Sequence, residues 1–199
     1  MSETGTILAR PPSWWTKNAH GLKTAFRIIL GAVWLIDGTL KFTSGYVNGF
    51  LGDVQNSQSI APSWLSGWYS FWVTQATQHS TVIVYTVGTL EVLLGLALVF
   101  GFIRKIAYLG GVVLSLLIWA VPEGFGGPYT AGSGTTDVGT GVIYAIAFFG
   151  LILINATYGS SRYSLDYYIE RRFPAWAKLS EFGDPAPRAP APVGAPPTA

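Results

Sequence analysis

The chain has 199 residues, half of them hydrophobic and only 11% charged, with a formal net charge of +2 and no cysteine. Soluble domains carry roughly a quarter charged residues, so this composition excludes an ordinary water-soluble globule, and so small a charge offers nothing to nucleic acid. Without cysteine the chain makes no disulfide, iron–sulfur cluster or zinc-thiolate site, and its two histidines, His20 and His79, flank different apolar runs, which leaves neither metal nor haem chemistry to expect.

Residues 1–23 are polar at the start and contain Pro11-Pro12, a pattern that predicts a cytoplasmic N-terminal segment rather than a cleavable signal. Four apolar runs follow, at 24–42, 81–102, 106–121 and 137–158. Each approaches the ~20 residues that a helix needs to cross ~30 Å of hydrocarbon. The third is the shortest, and Lys105 beside it can snorkel to the surface. The expected fold is an all-α integral membrane protein: one domain over 24–158, a four-transmembrane-helix bundle.

The first connection, 43–80, reads as turns at Gly45, Asn48, Gly49, Gly52 and Asp53. After them Trp64, Trp68 and Trp72 recur every four residues, predicting an interfacial aromatic helix capped by Ser63. An aromatic belt that anchors the bundle explains this stripe more simply than a binding platform does. Small residues at helical spacing, Gly88 and Gly95 with Glu91, and Gly111 with Ser115, predict the faces on which helices approach closely. Beyond the fourth run, 159–182 mixes aromatics with basic residues and predicts a cytoplasmic interfacial helix against anionic lipid. The Pro/Ala-rich stretch 183–199 reads as a disordered tail.

Basic residues set the orientation. Arg10, Lys17, Lys23 and Arg27 open the chain, Arg104 and Lys105 divide runs two and three, and Arg162, Arg171, Arg172, Lys178 and Arg188 come last. The connections 43–80 and 122–136 contain no Lys or Arg. The positive-inside rule therefore predicts a multi-pass protein with both termini and the 103–105 turn cytoplasmic; the membrane expected for it is the cytoplasmic (plasma) membrane of a prokaryote.

Three charged residues inside the runs are the candidates for chemistry. Asp37 and Lys41 are four apart on one helix face and suit an ion pair. Glu91 stands at the middle of its run, where an ionised carboxylate is costly and by default marks function. Helix rise puts it about 7–8 Å deeper than that pair. If unpaired it would stay protonated, which suits proton transfer or quinol binding; a neutral, hydrogen-bonded structural Glu explains it equally well. The second connection, Pro122-Glu123-Gly124-Phe125-Gly126-Gly127-Pro128-Tyr129 through Thr136-Asp137-Val138-Gly139, has a specific backbone path. Thr135 or Thr136 would cap the fourth helix, with Asp137 at its positive end. Glycine amides there suit a small anion, whereas a purely structural loop fits the scarcity of cations.

Taken together, Arg27-Ile-Ile-Leu-Gly31, Asp37-Gly-Thr-Leu-Lys41-Phe42, and Gly88-Thr-Leu-Glu91-Val-Leu-Leu-Gly95 leading to Arg104 resemble the DoxX/DoxD family of four-helix membrane proteins. The glycine loop with Thr136-Asp137-Val-Gly139 resembles the DoxD branch, the large subunit of thiosulfate:quinone oxidoreductase. That resemblance implies oxidation of thiosulfate to tetrathionate, with quinone as co-substrate and a DoxA-like small subunit or other membrane-complex subunits as partners. On this reading Glu91, Asp37 and Lys41 are the catalytic candidates. Gly124, Gly126, Gly127, Tyr129, Thr136 and Asp137 are the substrate-binding candidates. The alternative is a non-catalytic membrane anchor or assembly subunit of a respiratory or redox complex. A small-solute transporter fits poorly, since the four runs show no inverted repeat.

Overall fold

The computed structural model describes residues 14–126 and 138–182, and within them all regular structure is helical. Seven α-helices follow in order: α1 (Trp14–Leu40), α2 (Ser44–Ile60), α3 (Ser66–Phe100), α4 (Arg104–Ala120), α5 (Thr140–Tyr158), α6 (Leu165–Arg172) and α7 (Ala177–Ser180). Short 3₁₀ turns lie at Ser63–Leu65, Gly124–Gly126 and Pro174–Trp176. Among the described residues three stretches are long and apolar enough to cross a membrane: Asn18–Leu40, Ser63–Phe100 and Thr140–Tyr158. At 17 residues, α4 is shorter than these.

Glycines at matched heights hold α1 against α3. A Cβ added to Gly38 would lie 2.8 Å from the Val92 backbone nitrogen, and one added to Gly31 would lie 2.9 Å from Leu98 Cβ. From the other side, a Cβ on Gly95 would meet Leu35 Cγ at 2.7 Å. Residue numbers rise along α1 as they fall along α3, so the two helices are antiparallel and their backbones touch over two turns or more. Gly141 does the same for α5 on α4, with Ser115 O 2.6 Å from where its Cβ would be. The main core lies between these pairs, with Trp34, Leu98, Tyr108, Phe148 and Leu151 all but fully buried. Outward residues such as Ile29, Ile36, Val82, Leu93, Val113, Ile146 and Phe149 are apolar and exposed, the pattern of helices whose solvent is hydrocarbon rather than water.

Two connections differ from the sequence reading. The glycines read as turns, Gly45, Gly49 and Gly52, lie inside α2 with Asn48 and Asp53. Packing of Val54 and Phe50 against Tyr69 and Val121 overrides their weak helix propensity. The aromatic stripe is not a separate helix either. Trp64 sits in the 3₁₀ turn after Pro62, and Trp68 and Trp72 belong to the opening turns of α3. Ser63 makes no side-chain cap; Leu65 is the residue before α3.

At 35 residues α3 would rise about 50 Å, far more than a bilayer core. The backbone breaks from helical geometry once, at His79 (φ −136°, ψ 23°). Beyond that kink the stretch 80–100 rises about 30 Å, and before it α3 pairs with α2 as a hood. Tyr69, fully buried, donates its hydroxyl to Ala120 O at 3.0 Å and pins the hood to the end of α4.

At the other end α3 stops at Gly101 (φ +65°), with Phe102 N–H returning to Ala97 O at 2.9 Å. This left-handed glycine termination satisfies the last carbonyls and turns the chain straight into α4.

Candidate functional site

Between α1, the α2–α3 hood, α4 and α5 lies a cavity of about 460 Å³. Its walls are mainly apolar, from Trp34, Phe50, Trp72, Leu90, Leu114 and Ile118, with Asp37, Lys41, Tyr46, Asp53, Glu123 and Tyr144 as polar points.

Of the three charged candidates of the spans, Asp37 and Lys41 line the cavity, and Lys41 ties them to Glu91, which is buried behind it. Lys41 Nζ lies 3.1 Å from Glu91 Oε2 and 4.0 Å from Asp37 Oδ2. Helix rise alone put Glu91 deeper than Lys41; the glycine crossing removes that offset, because the Lys41 stem passes 3.0 Å from the Cβ position of Gly88. The side chains step outward in exposure, from 0% at Glu91 through 13% at Lys41 to 38% at Asp37. Neither Glu91 oxygen has a well-directed hydrogen bond among the described residues, so Lys41 holds Glu91 through charge and proximity. The ammonium also stands 4.9 Å from the Tyr46 ring centroid.

Two further donors border the cavity, and the sequence reading did not single out the first. Trp34 is 99% buried and packed at 5.6 Å against both Tyr144 and Phe148. Its indole N–H, like that of Trp72, has no acceptor among the described residues. Such groups are costly unless something accepts from them. Asp53 lines the α2 side, where desolvation pushes its carboxyl up from the ordinary value.

The glycine loop is partly described. Gly124, Phe125 and Gly126 form a tight turn with φ of +60°, +59° and +75°. Gly127, Tyr129, Thr136 and Asp137 lie outside the described residues, as does Thr135. The helix expected from residue 137 is α5, which starts at Thr140, and the Glu123 carboxylate occupies its N-terminus by accepting from Gly141 N–H at 2.8 Å. Trp119 Nε1 donates to Val138 O at 2.7 Å and steadies the same corner. In the described part of this loop the anion beside the glycines is therefore the chain's own Glu123.

A second polar cluster closes the opposite end of the bundle. Arg104, 1% exposed, donates to Asp166 at 2.9 Å, Glu170 at 3.0 Å and Glu181 at 2.5 Å. Asp166 also accepts from the backbone N–H groups of Ile103 and Arg104, at 2.9 and 3.0 Å, and from Trp176 Nε1 at 2.8 Å. Asn155 donates to Glu181 at 3.1 Å. Lys23 reaches Asn155 and Gly159 O, and Arg27 donates to Tyr163 O at 2.8 Å. Burial pushes the Glu181 carboxyl up, with Arg104 working against it. Lys23, Arg27 and Arg104 read in the sequence as orienting charges, but all three are buried ties. The one available signal was the number of acids, Asp166, Glu170 and Glu181, in an otherwise basic segment.

Compared with known proteins, the chain matches the DoxX family over residues 22–123, a stretch that runs from α1 through α4 and takes in Asp37, Lys41, Glu91 and Arg104. No curated protein and no solved structure matches it.

Proposed function

The chain belongs to the DoxX family, matched over more than half its length, and from that premise we propose that it is the membrane subunit of a quinone-linked oxidoreductase. DoxX proteins are typically membrane proteins, and the long apolar helices agree with that. We read α1, α3, α4 and α5 as four spans, with the hood on the outer side and both termini in the cytoplasm of a prokaryotic plasma membrane. The absence of Lys and Arg from 43–80 and 122–136 supports this orientation.

The observation that carries the quinone reading is the cavity. A quinone headgroup is a flat, apolar ring whose polar atoms only accept hydrogen bonds. The cavity pairs aromatic and aliphatic walls with donors that lack acceptors among the described residues, the Trp34 and Trp72 indoles, and with the Lys41 ammonium. Residues present thus fit the group. Quinone reduction to quinol takes up two electrons and two protons. Lys41 would stabilise negative charge growing on a carbonyl oxygen. Glu91 and Asp37, buried and exposed ends of one charged row, would supply and replenish the protons.

Thiosulfate is the electron source that the DoxD resemblance favours: two thiosulfates each lose one electron and join as tetrathionate. A dianion suits this cavity less well. Asp37, Asp53 and Glu123 border it with Lys41 as the single lining cation among the described residues, and Lys41 is already held by Glu91. We therefore assign sulfur oxidation to a partner subunit and quinone to the cavity. A second reading, a non-catalytic anchor or assembly subunit, draws on the Arg104 cluster, which arranges a shaped surface at the inner end and plays no part in the cavity.

The test uses the purified chain with its co-purifying subunits in mild detergent. Binding of a quinone analogue is followed separately from its thiosulfate-dependent reduction. Glu91→Gln should keep binding and helical content while losing most turnover. Normal quinol formation in that variant removes Glu91 from the mechanism. Failure of the native chain to bind the analogue at all leaves the anchor reading.

A further inference from the structure

The segment 162–182 carries four basic and three acidic residues, and sequence alone makes it nearly neutral. Folding sorts them. Asp166, Glu170 and Glu181 all turn inward onto buried Arg104. Arg162, Arg171, Arg172 and Lys178 all stay exposed, and none pairs with an acid among the described residues.

On α6 this sorting follows helix geometry. Asp166 and Glu170, four apart, form the inward face, whereas Leu165, Tyr168 and Arg172, at spacings of three and four, form the opposite one. Around the four bases the exposed side chains are apolar or aromatic: Tyr163, Leu165, Tyr168, Phe173 and Leu179. Two of the bases lie over tyrosine rings, Arg162 at 5.0 Å from Tyr163 and Arg171 at 5.7 Å from Tyr167.

We propose that this outward face is a binding surface for anionic phospholipid headgroups at the cytoplasmic side of the bilayer. Unopposed cations interleaved with Tyr, Phe and Leu match the boundary between charged headgroups and acyl chains. A purely acidic protein surface would use the cations but would leave the exposed leucines and aromatics without apolar partners. The segment begins just past Gly159, where α5 ends, which sets it at the height of the headgroups. Arg104 is the positioning residue: by drawing three carboxylates inward it turns a nearly neutral segment into a basic surface.

The experiment is native mass spectrometry of the full chain in detergent, titrated with phosphatidylglycerol or phosphatidylcholine of the same acyl chains. The native protein should prefer phosphatidylglycerol, with a preference that falls as salt rises. The triple variant Arg171→Gln/Arg172→Gln/Lys178→Gln changes only exposed side chains, and its fold is checked by circular dichroism. It should lose about fivefold of the preference per charge removed. Equal binding of the two lipids by the native chain overturns the proposal, as does an undiminished preference in the folded triple variant. Salt-sensitive retention of an acidic protein, lost in the triple variant while lipid binding is unchanged, assigns the face to a protein and overturns it too.

Discussion

A buried Glu held by a single Lys is a costly arrangement unless the fold demands it. Glu91 is fully buried, and among the described residues its one close charged contact is Lys41 at 3.1 Å. Removing one partner leaves a charge without compensation, and such losses typically cost about 3–5 kcal/mol. Lys41→Ala should therefore lower stability by about 3 kcal/mol in thermal unfolding in detergent. The double variant Lys41→Ala/Glu91→Gln should recover part of that loss, since the two residues act as a unit. Simple addition of the two single effects would show that the contact contributes nothing. At the opposite end Asp166 has three kinds of donor to satisfy, two backbone amides, the Arg104 guanidinium and the Trp176 indole. Asp166→Ala strands the two amides and the indole and leaves Arg104 only Glu170 and Glu181 of its three acids, and it should destabilise more than Glu170→Ala, whose carboxylate is partly exposed.

Helices here approach as closely as glycine permits, and that closeness is what brings Lys41 to Glu91. Gly38→Ala places a methyl 2.8–2.9 Å from Val92 N and Glu91 Cβ, and Gly95→Ala crowds Leu35 and the Gly31 carbonyl. Each should destabilise by about 1–3 kcal/mol through overpacking. Gly38→Ala should also weaken the response of turnover to Glu91→Gln, by separating the row of charges. Gly110, on α4, has open space within 4 Å; Gly110→Ala should leave unfolding unchanged or raise the midpoint slightly. Equal effects at all three sites would mean that helix propensity, not the crossing, controls stability. The N-terminus of α5 offers a separate test. Glu123→Ala removes the acceptor of Gly141 N–H and should cost about 1 kcal/mol, in the range of a lost helix cap.

The whole molecule has two polar ends joined by a mostly apolar middle, with the cavity toward one end and the Arg104 cluster at the other. Because the chain has no cysteine, single introduced thiols report sidedness without background. In intact cells, a Cys at Gln58 or Trp64 should react with an impermeant maleimide, and a Cys at Arg172 or Lys178 should react only after lysis. The reverse pattern would invert the orientation and remove the inner-leaflet lipid surface with it. Deleting 165–182 takes away all three acids of Arg104 and the cap on α4. The shortened chain should unfold at a clearly lower temperature, a result that a merely attached surface helix would not give.

Sequence by itself determined the helical class, the apolar runs in which three long helices lie, and the small-residue faces on which they meet. It did so because hydrocarbon admits only self-bonded backbone and because glycine at helical spacing marks close approach. Asp37, Lys41 and Glu91 stood out for a related reason: charge inside an apolar run is conspicuous whatever the fold. Tertiary structure decided the rest. It converted the glycine-rich 44–60 stretch into α2, extended α3 through the aromatic stripe, and seated the Glu123 carboxylate on the N-terminus of α5. It also turned Arg104 from an orienting charge into the buried centre of three carboxylates. Each of these outcomes depends on contacts between segments tens of residues apart, and the free energy of such contacts resides in neither segment alone.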